Sequence, residues 1–176
     1  MAEKDILREI IAGRRAIRKF TKDPVDTALI EELLVYASMG PSKGNAHPVD
    51  FIHVTGEGRE KLAEMRRFGS AYLKDAPGIV VVLGDKNVDP TWMEEATIAA
   101  AYLGLLLVSE GLSSSWINVR SEIASDGRDA EEFVREALNI PENWGVLALI
   151  PYGHPGEKVK SKEPFELEDK LHREKF

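Results

Sequence analysis

The stretch from Glu95 to Val108 constrains this chain more than any other. Read as a helix it is apolar all round, with Ile98, Ala99, Ala100, Ala101, Leu103, Leu105, Leu106 and Leu107 spread over every side. A helix without a polar face must be covered on all sides. The run is shorter than the roughly 18 apolar residues that a bilayer span needs, so the cover has to be protein. In a chain of 176 residues, a second subunit is a natural source of it.

The rest of the chain alternates between helical and extended signals. Ile6, Leu7, Ile10 and Ile11 have helical spacing, with Gly13 as a stop. Asp26 is a good N-cap for a helix carrying Leu29, Ile30, Leu33, Leu34 and Ala37, ended by Gly40 and Pro41. Phe51 to Val54 reads as a short strand and Glu57 to Phe68 as a charged amphipathic helix. Gly78-Ile-Val-Val-Val-Leu-Gly84 is a β-branched run bounded by glycines, the pattern of a strand buried on both faces. Trp116 to Val119 and Val146 to Ile150 predict further strands, and Ala130 to Leu138 a further helix. Strands and helices mix, so the class is α+β or α/β, and residues 1–176 read as one domain. The final residues, 167–176, are too polar to form a core alone, which leaves them disordered or laid along a partner subunit.

Charge is distributed unevenly. Residues 1–22 hold seven Lys or Arg against three acids, a net of +4, so the remainder carries −11 in a chain whose total is −7. That body repels nucleic acid, and no aromatic platform accompanies the cations. A small phosphate suits the geography better than a polyanion. Arg14 and Arg18 stand four apart, as do Arg15 and Lys19, so a helical turn would place each pair on one side. Guanidinium forks match phosphate oxygens, although such a cluster alone also reads as a solvated charged face. The segment Pro41-Ser42-Lys43-Gly44-Asn45 adds a bending backbone, a hydroxyl, an ammonium and an amide, and alone it is an ordinary helix-to-strand connection.

Other chemistries find no support. The sequence has no cysteine, which removes disulfides, thiolate nucleophiles, Cys-based zinc sites and iron–sulfur clusters. Redox chemistry then requires a bound cofactor. Gly56-Glu57-Gly58 lacks the third glycine of a dinucleotide fingerprint, and Lys43 precedes Gly44 instead of following it as a phosphate-loop lysine would. His47, His53, His154 and His172 lack metal-site spacing, and each reads as a surface or loop residue. Ser113, Ser114 and Ser115 have no following glycine to form a nucleophile elbow. No metal site and no hydrolytic machinery is expected. The opening Met1-Ala2-Glu3-Lys4-Asp5 is not a cationic leader, so a cytoplasmic location without membrane attachment is expected.

Four ordered segments together resemble the nitroreductase family, the flavin mononucleotide (FMN) dependent reductases of nitro compounds, quinones and flavins. Arg14-Arg15-Ala16-Ile17-Arg18-Lys19-Phe20 is similar to the family's Arg-Arg-Ser-Ile-Arg-x-Phe opening. Pro41-Ser42-Lys43-Gly44-Asn45-Ala46-His47-Pro48 resembles its Pro-Ser-x-x-Asn-x-Gln-Pro loop. Gly111-Leu112-Ser113-Ser114-Ser115-Trp116-Ile117 resembles its Gly-Leu-Gly-x-x-Trp segment. Gly153-His154-Pro155 with Lys160 and Lys162 resembles its closing stretch and paired cations.

The resemblance implies an α+β fold with a central, mainly antiparallel sheet flanked by helices. It also implies a homodimer with FMN sites at the subunit interface, and a C-terminal tail, about residues 160–176, packed on the partner. Arg14 and Arg15 with Lys160 and Lys162 would hold the FMN phosphate, Ala16 would lie beside it, and Arg18 would lie near the ribityl chain and the N1–O2 edge of the ring. Pro41, Ser42, Lys43 and Asn45 would form the loop reaching the flavin from the other subunit. Trp116, Ile117 and Asn118 would run beside the ring. The implied activity is hydride transfer from NAD(P)H through FMN to a small oxidised acceptor by a ping-pong sequence, with no catalytic side chain required. Flavin storage or sensing without turnover, and specialised flavin chemistry such as reductive dehalogenation, are the alternatives. Three positions depart from the family pattern: Ala16 replaces Ser, His47 replaces Gln, and Val49 stands where Trp is common.

Overall fold

The computed structural model describes residues 3–159, 166–167 and 170–176. Its five helices are α1 (Glu3–Gly13), α2 (Thr27–Ala37), α3 (Gly58–Leu62), α4 (Trp92–Ser109) and α5 (Ala130–Ala137). Its strands are β1 (Val49–Val54), β2 (Gly78–Asp85), β3 (Ser113–Ser114), β4 (Ile117–Asn118) and β5 (Trp144–Gly153). The sheet runs β1-β2-β5-β3, with β4 also on β5, and every ladder is antiparallel.

Side-chain alternation along the sheet builds two cores. Ile79, Val81 and Leu83 of β2 point to the side covered by α3 and α5, where Leu62, Met65, Phe133 and Val134 pack. Val80 and Val82 point to the other side, against Ile30 and Leu33 of α2 and Ala96, Ala100, Leu103 and Leu107 of α4. The uninterrupted apolar run of β2 therefore serves a sheet sandwiched between two helical layers, the condition that produces such runs in parallel sheets as well. β5 shares the pattern, and a register shift between Val82 and Leu83 lets its residues 144–152 follow the eight residues of β2.

Local chemistry explains most boundaries. Asp26 caps α2, its Oδ1 accepting from Ala28 N at 2.9 Å, and Asp129 caps α5 by accepting from the N–H groups of Glu131 and Glu132. The expected helix from Glu57 to Phe68 is cut short. After Leu62 the backbone tightens to bonds three residues apart, Ser70 Oγ binds Ala63 O and Arg66 N, and Arg67 N reaches Ile123 O at 2.8 Å. These competing partners draw the chain away from the helical path.

α4 is longer than its apolar run. It begins at Trp92 and reaches 18 residues, long and apolar enough by length and composition to cross a membrane. It lies instead across the sheet, with Ala96, Ala100, Leu103 and Leu107 buried. Its other side, around Ala101 and Tyr102, is exposed in the single chain. Near the end of the chain Lys170 N and Leu171 N both donate to Leu167 O at 2.8 Å, and His172 stacks on Phe176 at 4.1 Å between ring centroids.

Candidate functional site

After Gly13 the chain leaves the helix and runs extended through the arginine cluster. The four-residue pairing of Arg14 with Arg18 and of Arg15 with Lys19 on one helical face is therefore not realised. The extended path has another use. Ala16 bridges Ser114 in parallel fashion, Ile17 N donates to Ser114 O at 3.0 Å, and Ile17 is buried. Phe20 then bridges Pro155, Thr21 N donates to His154 O at 3.0 Å, and Gly156 N donates to Lys19 O at 2.7 Å. Three segments that are distant in sequence, around Ala16, Ser114 and Pro155, form one continuous edge.

Gly156 makes the last junction possible. A Cβ there would sit 2.9 Å from the Phe20 carbonyl carbon and 3.0 Å from Lys19 O. Glu157 completes the strap, its Oε1 accepting from Arg18 N at 2.9 Å and Lys19 N at 3.2 Å. Those hydrogen bonds, first that from Arg18 N, hold its carboxyl below the usual carboxylate range. The strap brings the exposed side chains of Arg18 and Lys19 beside the segment that leads to Lys160 and Lys162. Both lysines lie outside the described residues.

Arg14 stands at the rim of a cavity of about 530 Å³. Ala100, Ala101, Gly104 and Leu105 of α4 form an apolar bed, and Ser114, Ser115 and Trp116 line the opposite side. Tyr72 Oη lies 2.7 Å from Ser115 Oγ, and Trp116 Nε1 donates to Asn118 Oδ1 at 2.6 Å. Ile117 is buried, pairing with Leu149 in the sheet. Arg14, Ser114, Ser115 and Trp116 thus border a space whose α4 wall is apolar.

The loop Pro41-Ser42-Lys43-Gly44-Asn45 does not line this cavity in the same chain. It is a single 3-10 turn over Lys43–Asn45 in which Gly44, Asn45 and, just beyond, His47 all take positive φ, at 59°, 61° and 47°. Left-handed backbone at non-glycine residues is costly and persists where surroundings impose it. Here Ser42 Oγ accepts from His47 N at 3.2 Å, and Glu95 Oε1 accepts from Lys43 N at 2.8 Å. Glu95 lies nine residues before Gly104, about 13 Å along α4 at 1.5 Å per residue. The loop and the arginine rim therefore occupy different ends of one helix.

Sequence reading missed Glu95, Asp89, Thr91 and Glu157. Glu95 carries a visible signal in the sequence, a carboxylate at the mouth of an otherwise apolar run. His53 is not a surface residue as expected. It lies half-buried in β1 with Nε2 2.6 Å from the Tyr152 hydroxyl.

This α+β architecture, with a helix-lined cavity and a cationic edge, defines a cofactor-binding class. The chain matches the model of the Nitroreductase family over residues 11–67 and 65–154 and belongs to that family. It is an oxidoreductase of that class. A relative from Methanothermobacter thermautotrophicus is 32% identical over 180 residues, covering 100% of this chain and 90% of its own length, and carries the provisional name NADH dehydrogenase/NAD(P)H nitroreductase. A solved FMN-dependent nitroreductase from Clostridium difficile superposes with a TM-score of 0.90 at 31% identity, over 96% of this chain and 99% of its own. A 5,6-dimethylbenzimidazole synthase from Rhodobacter capsulatus is 29% identical over 175 residues, with 86% of this chain and 84% of its own length covered.

Proposed function

We propose that the protein is an FMN-dependent reductase that passes hydride from NAD(P)H to a small oxidised acceptor by a ping-pong sequence, working as a homodimer. The observation that carries this reading is the single edge formed by residues 14–20, 113–118 and 153–157 beside the 530 Å³ cavity. The lining fits FMN: an apolar bed on α4 suits a planar heterocycle, Ser114 at the cavity wall suits its polar rim, and the cationic edge suits a phosphate.

In this reading Arg14 and Arg15, with Lys160 and Lys162, hold the phosphate, and the gap left by Ala16 removes one hydroxyl from that site. Arg18 lies toward the N1–O2 edge, where a cation stabilises negative charge on the reduced ring. Trp116, Ile117 and Asn118 run along the ring and set its plane. Pro41, Ser42 and Asn45 approach from the other subunit. When bound, FMN supplies the two-electron chemistry, and the protein supplies placement, field and access.

The homodimer is supported by an uncovered apolar surface. Leu7, Ile11, Tyr36 and Tyr102 are 41 to 59% exposed and, with Leu105 and Leu106, line a second apolar groove. Ile11 and Leu105 line both this groove and the larger cavity. A copy covering the groove would therefore border the flavin.

The test is anaerobic reconstitution with FMN, removal of excess, and titration with NADPH and NADH. Retained flavin that bleaches and then recolours with a quinone or nitroarene supports the reading. Retained flavin that will not bleach points to binding without turnover, and absence of retained flavin refutes the assignment. The benzimidazole synthase relative favours specialised flavin chemistry as a second reading. Recovering the flavin unchanged after many turnovers with an acceptor would count against it.

A further inference from the structure

The carboxylates at the head of α4 have no role in the reading above, yet they hold the loop on which that reading depends. Glu95 is 7% exposed and Asp89 6%. Glu95 Oε1 takes Lys43 N at 2.8 Å and faces Thr91 Oγ1 at 3.4 Å, while its Oε2 is buried with no hydrogen-bond partner. Asp89 Oδ1 accepts from Thr91 N at 2.6 Å and from the Thr91 hydroxyl, and its Oδ2 lies 3.8 Å from Lys43 Nζ. Two carboxylates removed from water require compensation by hydrogen bonds and opposite charge. Lys43 offers both, its main-chain N–H to one acid and its ammonium to the other.

We infer that Glu95 is a positioning residue for the flavin site: with Asp89 and Lys43 it latches the Pro41–Asn45 loop to the head of α4 and fixes the geometry that loop presents to the flavin. The inference rests on the proposal that this loop meets FMN. The latch explains why Asn45 and His47 stay in left-handed backbone, since the loop is fastened on the side of Lys43 and closed on itself through Ser42. It also reassigns Lys43. Its ammonium faces Asp89, so its contribution to flavin binding passes through loop shape and not through the phosphate.

That distinction is measurable, because riboflavin lacks the phosphate. The experiment compares FMN and riboflavin affinity, by quenching of flavin fluorescence, for the full chain and for Glu95→Ala, Glu95→Gln, Lys43→Met and Asn45→Ala. Glu95→Ala is expected to weaken both flavins alike, by about tenfold, the effect of losing one hydrogen bond to a charged group. Glu95→Gln restores most of the affinity, because its amide oxygen still accepts from Lys43 N. Lys43→Met weakens both flavins equally and more mildly. Should Glu95→Ala fail to fold, Lys43→Met carries the same comparison at a side chain that is 64% exposed.

The inference is overturned if Asn45→Ala loses flavin while Glu95→Ala binds as wild type, or if Lys43→Met loses FMN affinity alone. If neither Asn45→Ala nor Glu95→Ala changes affinity in a wild-type protein that retains FMN, the loop is not at the flavin. The proposed placement of the loop then falls, and the latch with it.

Discussion

The Tyr152 hydroxyl and His53 Nε2, 99 residues apart in sequence, meet at 2.6 Å across the β1 and β5 sides of β2. Tyr152 is almost wholly buried, and burial pushes its hydroxyl up to about 12, with Arg59 opposing. Burial also lowers His53, against an opposing pull from Glu31. Both groups are thereby kept neutral, and one hydrogen bond joins them. The folded state keeps the Tyr152 proton that the unfolded chain loses near pH 10, so this stability is complete below pH 10 and is lost as the pH rises toward 12. Tyr152→Phe should cost about 1 to 2 kcal/mol in urea unfolding at pH 7 by leaving His53 without its partner. The variant should also lose this alkaline component, which a comparison of unfolding midpoints between pH 9 and pH 12 would reveal.

Glu157 makes the opposite prediction at acid pH. Its folded-state carboxyl is depressed by Arg18 N and Lys19 N, so its contribution is present above the usual carboxylate range and is lost as pH falls through the lower folded value. Wild-type melting temperature should fall more steeply between pH 5 and pH 3 than that of Glu157→Gln, whose amide oxygen can still accept but does not titrate. Equal slopes would show that the strap does not depend on this carboxylate.

Removing phosphate cations should separate flavin binding from folding. Arg14→Ala combined with Lys160→Ala is expected to weaken FMN by about 100-fold or more, two charge-assisted contacts each contributing at least a factor of ten. Riboflavin affinity should change far less. Stoichiometric FMN retained by the double variant after gel filtration would remove Arg14 and Lys160 from the phosphate site.

A charge placed on the apolar groove should part the subunits of the proposed homodimer. Tyr102→Glu lies on the exposed side of α4, so the single chain should keep its fold and circular dichroism spectrum. An unpaired carboxylate enclosed at an interface costs several kcal/mol, and the dimer dissociation constant should rise by at least about 100-fold. Sedimentation at micromolar concentration would read this directly. Flavin retention should fall in parallel, because the proposed site borders the groove.

Where pattern and burial coincide, the fold was legible from residues alone. The apolar run of β2 marked the buried strand, Asp26 marked the start of α2, and the run from Glu95 to Val108 marked the helix that packs on the sheet. The antiparallel arrangement entered through family resemblance, because a strand covered on both faces has the same composition in either type of sheet. The shortness of α3 was invisible, since Ser70 and Ile123 outcompete helical bonding only once distant segments are in place. The cationic cluster was found but given the wrong local geometry. Its extended path is imposed by Ser114 and Pro155, which no local periodicity can announce. Glu95 and the His53–Tyr152 pair were hidden for the same reason: each is defined by a partner 52 or 99 residues away.

The position of β5 in chain order has a consequence for biosynthesis. This strand bonds to β2 on one side and to β3 and β4 on the other, and it is the last strand to leave the ribosome. Until residues 144–153 emerge, β2 has an unpaired, largely apolar edge with β1 as its neighbour on the other side. Such an edge is a template for pairing with other chains. Nascent chains stalled before Trp144 should therefore depend on chaperones, while chains released past Gly153 close the sheet and the edge with residues 14–20 in one step.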